Sequence, residues 1–201
     1  MTSAAAASSA ASPAAERWFG DAFARLHPRL QALHREGGRL SGPVAFEVGR
    51  GIAGLLGRLA LRRLGVDPAK RTHTLIVEIS HVEISHVDIS HVADGLRWSR
   101  RFDDGPETVS LFRPVGHWPD GHWCESSGPL VLELGVDPVE GGWRWRQRAC
   151  RWWGMTVPGW LAPRVEAGKT VDGDAYRFDV AIVLPLIGRV LAWAGTLRMA
   201  S

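Results

Sequence analysis

Regular alternation of apolar and polar residues dominates the second half of this chain of 201 residues. Between Leu96 and Leu197, apolar side chains recur at every second position in short runs, and turn-forming residues separate the runs. A period of two is typical of strands with one buried face, and short connections favour antiparallel pairing. The apolar positions that define these strands include Leu96, Trp98, Phe102, Val109, Leu111, Leu130, Leu132, Leu134, Trp143, Trp145, Tyr176, Phe178, Val180, Ile182, Leu184 and Val190.

Patterns typical of helices come before the strands. The first begins near Ser12-Pro13 and keeps an apolar face at spacings of three and four residues until Pro28 interrupts it. A shorter helical segment ends at Gly37-Gly38, and residues Ile52 to Leu64 form another helix. In that last helix we expect Leu55, Leu56 and Leu59 to face the core and Arg58, Arg62 and Arg63 to face solvent.

These patterns predict a single α+β domain over residues 13–201. N-terminal helices pack on a strongly curved, mostly antiparallel sheet or a partial β-barrel. Residues 1–12, which are nearly all alanine and serine, predict a disordered leader that lacks the basic and leucine-rich parts of a signal peptide.

Ten tryptophans against one tyrosine stand out in the composition. Aromatic side chains at inward strand positions favour an aromatic core or a tryptophan-lined pocket. Hydrophobic residues make up 45% of the chain and charged residues 22%, the balance of a soluble domain, and the net charge of +3 does not require an anionic partner. Cys124 and Cys150 are too few for a disulfide framework, so we expect free thiols and a cytoplasmic location.

The segment from Val180 to Leu197 could be read as a membrane span, since Arg189 is its only charged residue. Its length is close to the ~18 residues that a spanning helix needs. A charge in the middle of the segment opposes insertion by about 2.5–3.5 kcal/mol, and Pro185 with Gly188 indicates a turn. We therefore expect a buried β-hairpin here and no membrane span.

Residues 78–92 repeat one pentad three times, as Glu-Ile-Ser-His-Val twice and Asp-Ile-Ser-His-Val once. The resulting histidines, His81, His86 and His91, suggest a metal or proton-relay array. A step of five reverses the face of a strand, however, so His86 would point away from the other two. Two extra copies add an even number of residues and preserve the alternation of faces. We interpret the repeat as a tandem insertion that lengthens a strand or hairpin, with His91 alone kept as a candidate site residue.

The segment Gly49-Arg50-Gly51-Ile52-Ala53-Gly54 matches the G-x-G-x-x-G pattern of dinucleotide-binding loops. It lies between a strand pattern and a helix, and Glu78 ends the next strand pattern, as a βαβ unit requires. Against this, the first strand alternates and carries Glu47, and no second βαβ unit follows. We prefer tight packing between strand and helix, and we expect no bound cofactor.

The loop that contains His117, His122 and Cys124 has residue types that bind metals. Their spacing matches no standard zinc site. We expect no metal here and interpret the loop as amphipathic, with its tryptophans turned inward.

Arg144, Arg146 and Arg148 form a row on one face of a predicted strand and suggest a basic surface for RNA or single strands. Such surfaces place exposed aromatic side chains among the cations. Trp143 and Trp145 belong to the opposite face, so we prefer a solvated arginine face over a nucleic-acid site.

Several short motifs, specific in combination, carry a family resemblance. They are Leu26-His27-Pro28, Arg50-Gly51, Ser90-His91 followed by Asp94, Trp98-Ser99-Arg100-Arg101-Phe102, Glu125 with Gly128-Pro129-Leu130, Pro158-Gly159-Trp160-Leu161-Ala162-Pro163, Phe178-Asp179-Val180, Pro185 with Gly188, and Gly195 with Leu197. From Phe23 onward the chain resembles a bacterial domain of unknown function that occurs alone or fused behind saccharopine-dehydrogenase-like NAD(P)-binding domains. The resemblance implies an accessory module to NAD(P)-linked oxidoreductases, with the nucleotide held by the partner. The chain departs from the family in the pentad, where one copy is expected.

The family-patterned residues that we expect to bind a ligand are His91, Asp94, Trp98, Arg100, Glu125 and Trp160. The first functional hypothesis is a non-catalytic module that binds a lipid-like or other small hydrophobic ligand, because inward tryptophans accompany the lack of a catalytic motif. The second is an enzyme or enzyme subunit that uses the polar members of this set. The third is the nucleic-acid-binding sheet face.

Overall fold

The computed structural model describes residues 13–86 and 89–200, and within them the side chains of all residues except 84–93. The helices are α1 (Ala14–Phe19), α2 (Pro28–Glu36) and α3 (Gly51–Arg63), with a 3₁₀ helix at Gly20–Arg25. The strands are β1 (Gly38–Val48), β2 (Thr72–His86), β3 (Ile89–Phe102), β4 (Thr108–Val115), β5 (His122–Ser127), β6 (Leu130–Val139), β7 (Gly142–Trp152), β8 (Met155–Thr156), β9 (Arg164–Asp172), β10 (Ala175–Leu184) and β11 (Gly188–Met199). The predicted leader, residues 1–12, lies outside the described residues.

Ten of the described strands close into a barrel. From β1 the hydrogen-bonded order runs through β2, β3, β4, β5, β6, β7, β9, β10 and β11, and β11 pairs again with β1. Neighbouring strands in this ring are antiparallel, and β8 pairs with the end of β7 outside the ring. The predicted α+β class with a strongly curved antiparallel sheet is confirmed, and the sheet closes completely.

The apolar segment from Val180 to Leu197 forms a hairpin of β10 and β11, as predicted, but most of its residues are half-buried or exposed rather than buried. The two strands pair from Tyr176 with Leu197 to Leu184 with Gly188, next to the predicted turn. None of the helices in the described ranges has the length and apolar character that crossing a bilayer requires.

The N-terminal helices cover one end of the barrel with aromatic side chains. The Trp18 ring of α1 lies 5.7 Å from the Trp123 ring of β5, and Phe19 lies 5.8 Å from Trp143 of β7. Pro28 interrupts the first helical pattern as predicted and becomes the first residue of α2, where its missing N–H leaves no broken hydrogen bond. The N-terminal helices therefore contact strands on different parts of the ring.

Helix α3 packs outside the barrel against β1 and β11, and the prediction for its buried face is partly wrong. Leu55 and Leu59 are exposed, Leu56 is half-buried against the core, and the buried face consists of Ala53, Gly54, Gly57 and Leu61. A Cβ atom at Gly57 would lie 2.3 Å from the carbonyl oxygen of Val190. Contact through glycine brings the helix backbone so close to the sheet that its leucine stripe turns to the outside. Arg58, Arg62 and Arg63 are exposed, as predicted.

The described residues of the pentad repeat, 78–86 and 89–92, lie at the far end of the hairpin formed by β2 and β3. Strand β1 pairs with β2 no further than Ile79, and β4 pairs with β3 only from Leu96 onward. Within the described residues, the hairpin beyond these two positions is paired only with itself. His81 lies on this extension, with its Nε2 atom 3.0 Å from the carbonyl oxygen of Arg35.

Deleting residues 78–87 is expected to leave the fold intact, because it shortens the hairpin evenly. Residues 88–92 would then take the places of residues 78–82, so that Ile89 would lie opposite Gly38 and Trp98 as Ile79 does now. We expect urea denaturation to show a change in the free energy of unfolding below about 1 kcal/mol, since connection length affects stability weakly. Loss of cooperative unfolding would show instead that the repeat is part of the structural core.

Candidate functional site

An apolar cavity of about 360 Å³ lies inside the barrel. Each strand of the closed ring contributes at least one lining side chain, and Leu33 of α2 borders the cavity from the covered end. Barrel diameter grows with strand number, and about eight strands already leave room for side chains or one small ligand. Ten strands leave an interior that the inward side chains do not fill. Its size falls within the roughly 300–1,000 Å³ of small-molecule pockets.

Arg100 introduces a charge into this apolar surface. Its Nη1 atom donates a hydrogen bond to Ser110 Oγ at 2.9 Å, and its Nη2 atom lies 3.5 Å from Glu125 Oε1. The guanidinium also lies 5.4 Å from the Trp98 ring centroid, a cation–π distance. Arg100, Ser110 and Glu125 come from β3, β4 and β5, which are neighbours in the ring. The polar groups therefore share one part of the cavity wall.

Lys169 is a second cation on the cavity wall, contributed by β9. Its Nζ atom lies 2.7 Å from His34 Nε2, 3.9 Å from the Trp143 ring centroid and 4.5 Å from the Trp98 ring centroid. Trp143 is its cross-strand partner on β7. The residue keeps some accessible surface where it borders the cavity, while its amino group is enclosed by protein. Together, Lys169, His34, Trp98 and Trp143 form the Lys169 cluster.

The environment of the Lys169 cluster disfavours positive charge. Burial, followed by the nearby charge of Arg100, holds the pKa of Lys169 well below 10.5. Burial, followed by Lys169 and His81, holds the pKa of His34 well below 6.5. The cluster therefore disfavours positive charge on both groups, and their nitrogen atoms lie within hydrogen-bond distance of each other.

Some buried N–H groups around the cavity have no protein acceptor among the described residues. At the cavity wall this applies to the indole nitrogen of Trp98; the indole nitrogen of Trp143 and the Nδ1 atom of His34 also lack a partner in the described structure but do not line the cavity. Buried polar groups usually have a hydrogen-bond partner, so donors of this kind at a cavity are suited to an oxygen atom of a ligand.

The structure brings together three of the six expected ligand-binding residues. Trp98, Arg100 and Glu125 all line the cavity, and the side chain of Arg100 contacts the other two. Sequence reasoning missed Lys169 and His34. One signal was present for Lys169: it continues the inward series of Val165 and Ala167, which places a cation on an apolar strand face.

The other three expected residues do not meet at the cavity in the described structure. Asp94 is half-exposed and forms an ion pair of 2.7 Å with Arg17 on α1. Trp160 is 67% exposed and borders an open groove beside the β10–β11 turn. The side chain of His91 lies outside the described part of the structure.

The G-x-G-x-x-G segment connects β1 to α3 in a different topology from a dinucleotide-binding unit. Strands β1 and β2, which flank the helix in sequence, are antiparallel neighbours rather than parallel strands. A Cβ atom at Gly49 would lie 2.0 Å from the carbonyl oxygen of Arg189 on β11. The glycine thus allows close backbone packing, the alternative preferred from the sequence.

The arginine row on β7 is engaged by neighbouring groups. Arg144 binds both carboxylate oxygens of Asp179 at 3.1 and 3.2 Å, and Arg146 binds those of Asp137 at the same distances. Arg148 donates to the carbonyl oxygen of Asp120 at 2.7 Å. Phosphate groups would have to compete with these partners, so the geometry does not favour the nucleic-acid hypothesis.

Comparison with known proteins gives a family but no activity. A family model described as "Domain of unknown function (DUF4166)" matches residues 26–197. No curated protein matches the chain. Among solved structures, the chain is similar to the crystal structure of Rv2717c from M. tuberculosis, with 13% identity, a TM-score of 0.41, and coverage of 88% of this chain and 99% of that one. A similarity this low transfers neither architecture nor function.

Proposed function

Because this chain belongs to the DUF4166 family, a family of unknown function, we propose its function from the barrel interior. The protein binds a small, lipid-like hydrophobic ligand with one oxygen-bearing head inside the barrel. The observation that carries the proposal is the apolar cavity to which every strand of the ring contributes.

The apolar part of the lining supports a hydrocarbon chain as the body of the ligand. Leucine, valine, isoleucine and aromatic side chains make up most of the cavity wall. Removing apolar ligand surface from water contributes roughly 25 cal/mol for each Å² buried. A flexible alkyl chain can adapt to such a surface without hydrogen bonds of its own.

The polar part of the lining supports a single oxygen-bearing head. Arg100, Ser110 and Lys169 supply donors at the wall, and Trp98 adds an indole N–H without a protein acceptor among the described residues. Glu125 faces Arg100 and opposes a high negative charge at the same place. This balance favours a carbonyl, hydroxyl or single carboxylate over a phosphate.

Replacing Ala167 with tryptophan is expected to weaken ligand binding at least about tenfold, or about 1.4 kcal/mol. Ala167 lines the cavity on β9, so the indole would occupy the space of the ligand. Displacement of a fluorescent naphthalene sulfonate by decanol and by decanoate measures the affinity. Native mass spectrometry of the purified protein tests for a co-purified ligand.

Glu166→Trp is the matched control, because the neighbouring residue is exposed on the outer face of the same strand. This variant should bind like the unmodified protein. The proposed function would be wrong if the unmodified protein bound neither dye nor decanol nor decanoate, or if both variants lost binding equally.

An accessory role to NAD(P)-linked oxidoreductases completes the proposal. It is supported by the resemblance to domains fused behind saccharopine-dehydrogenase-like domains, and by the use of the Gly49–Gly54 segment for packing. The two cysteines are free and buried, which supports a reducing, cytoplasmic location.

An enzymatic role is the second candidate, favoured by one observation. Lys169 and His34 place an amine and an imidazole 2.7 Å apart at the cavity, within the distance that proton transfer requires.

A further inference from the structure

Lys169 differs from the other lysine of the chain in its burial, in its ion-pair partner and in its position at the cavity. The chain contains only two lysines, Lys70 and Lys169. The side chain of Lys70 is 54% exposed and pairs with Asp103 at 3.1 Å. Lys169 Nζ is enclosed by protein, has no carboxylate partner within ion-pair distance in the described residues, and belongs to a cavity-lining residue.

We propose that Lys169 Nζ captures a hydrophobic aldehyde held in the cavity and forms a Schiff base with its carbonyl carbon. This inference rests on the proposed function, because the cavity must first hold the hydrocarbon chain of the aldehyde. It assigns a covalent site and narrows the oxygen-bearing head to a carbonyl group.

A neutral amine is the first requirement, since an ammonium group has no lone pair with which to attack. Burial and, after it, the charge of Arg100 lower the pKa of Lys169. The faces of Trp98 and Trp143 act in the opposite direction, because they stabilise a cation. Desolvation of a buried ammonium group opposes these contacts, and the pKa of Lys169 lies well below that of an exposed lysine.

A proton carrier is the second requirement, and His34 meets it. When the ring proton of His34 is on Nδ1, Nζ–H donates to the Nε2 lone pair at 2.7 Å, and the nitrogen lone pair of Lys169 stays free. Burial lowers the pKa of His34, so the imidazole is a neutral acceptor at rest. The ring is fixed by packing, with its centroid 4.9 Å from that of Trp143 and 6.0 Å from that of Trp98.

The reaction balances without an oxidant or a reductant. The Nζ lone pair forms a bond to the carbonyl carbon, and the C=O π electrons move to oxygen. His34 takes a proton from Nζ and returns it to that oxygen, giving a carbinolamine. His34 then carries the remaining N–H proton to the hydroxyl group as the C–O bond breaks, so that water leaves and the imine remains.

The test uses decanal as the probe and sodium cyanoborohydride to reduce the imine to a stable amine. Intact mass and peptide mapping should show one decyl group on Lys169, at least about tenfold more than on Lys70. Lys169→Met should lose this adduct, while Lys70→Met should retain both the adduct and the binding of decanol. Lys169→Arg, which keeps a cation at the site, is a second variant that should also lose the adduct.

Different experimental outcomes would overturn the Schiff base on Lys169 and the binding of a hydrophobic ligand. Normal decanol binding with no adduct, or with equal labelling of both lysines, would overturn the Schiff base and leave the binding function standing. Absence of decanol, decanoate and decanal binding would overturn both. A Lys169→Met variant that keeps the decyl group on another residue of the cavity would also overturn the assignment.

Discussion

Replacing Lys169 with methionine is expected to raise the free energy of unfolding at neutral pH by about 1–4 kcal/mol, a range taken from the replacement of buried ion pairs by apolar side chains, because the folded protein holds the pKa of this lysine far below that of the unfolded chain. Methionine fills a similar volume beside Trp98 and Trp143 and needs no proton. The loss of the contact with His34 Nε2 at 2.7 Å opposes this gain and accounts for the low end of the range. Lys70→Met, at the exposed lysine, should not stabilise the protein.

The gain from Lys169→Met should depend on pH in a defined direction. In the unfolded chain the pKa of a lysine is about 10.4, whereas in the folded protein burial and Arg100 hold the pKa of Lys169 far lower. Between the two values the unfolded chain binds the extra proton, so the stability contributed by Lys169 rises with pH. The advantage of the variant should therefore shrink towards about pH 10.4.

Denaturant titrations of both proteins across this pH range provide the measurement. The charged or titratable groups that act on Lys169 or line the same cavity are His34, Arg100, Glu125, Tyr176 and Arg177. Both proteins contain these groups, so their own titration largely cancels in the difference between the two free energies of unfolding. A variant that is less stable at every pH would identify Lys169 as a structural cation held by the tryptophans.

Asp103→Asn is expected to lower the free energy of unfolding by about 1–2 kcal/mol at neutral pH, after allowance for partial solvent screening. The Asp103 carboxylate accepts the N–H of Thr74 at 2.8 Å and contacts His73 Nδ1 at 2.6 Å and Lys70 Nζ at 3.1 Å. The backbone N–H of Thr74, followed by His73 and Lys70, lowers the pKa of Asp103 to about 2. Asparagine tolerates the positive φ of 47° at this position, so the substitution removes charge without adding backbone strain.

The effect of Asp103→Asn should disappear in acid. Because the pKa of Asp103 is about 2 in the folded protein and 3.8 for an unperturbed aspartate, the stabilisation is complete above about pH 4 and is lost as the pH falls to 2. The stability difference between the proteins should follow this course in urea titrations. Asp104→Asn, one residue further at an exposed position, is the control and should change stability by less than about 0.5 kcal/mol. An equal loss at neutral and acidic pH would instead indicate a packing defect.

Most of the strands could be predicted from the sequence, but the closure of the barrel could not, and neither could β5, which begins inside the segment interpreted as an amphipathic loop, nor β8 and β9. The β10–β11 hairpin follows from alternation on both sides of a turn, which is local information. Closure depends on β7 pairing with both β6 and β9, and the latter connection passes over β8 and residues 157–163. Strand pairing over such a distance leaves no periodic trace in the sequence.

The cavity residues also divide into features that the local sequence predicts and features that depend on distant parts of the chain. Arg100 and Glu125 were found through family motifs, and their convergence depends on the register of β3, β4 and β5. Lys169 has an inward position by alternation, yet its role requires His34 from a helix 135 residues away in sequence. The exposed Leu55 and Leu59 were mispredicted because apolar spacing does not show which face of a helix carries the glycine contact.

The pairing of β1 with β11 has a consequence for how the chain folds. These strands join Leu40 to Met199, so the ring is closed by residues almost the full chain length apart. Contacts between such distant residues carry a high loop-closure cost before they stabilise anything, and barrels of this kind fold slowly. Until β11 has been synthesised, β1 and β10 both present open edges that can pair with another chain. Aggregation during synthesis is therefore the characteristic risk of this architecture, and the last strand removes it.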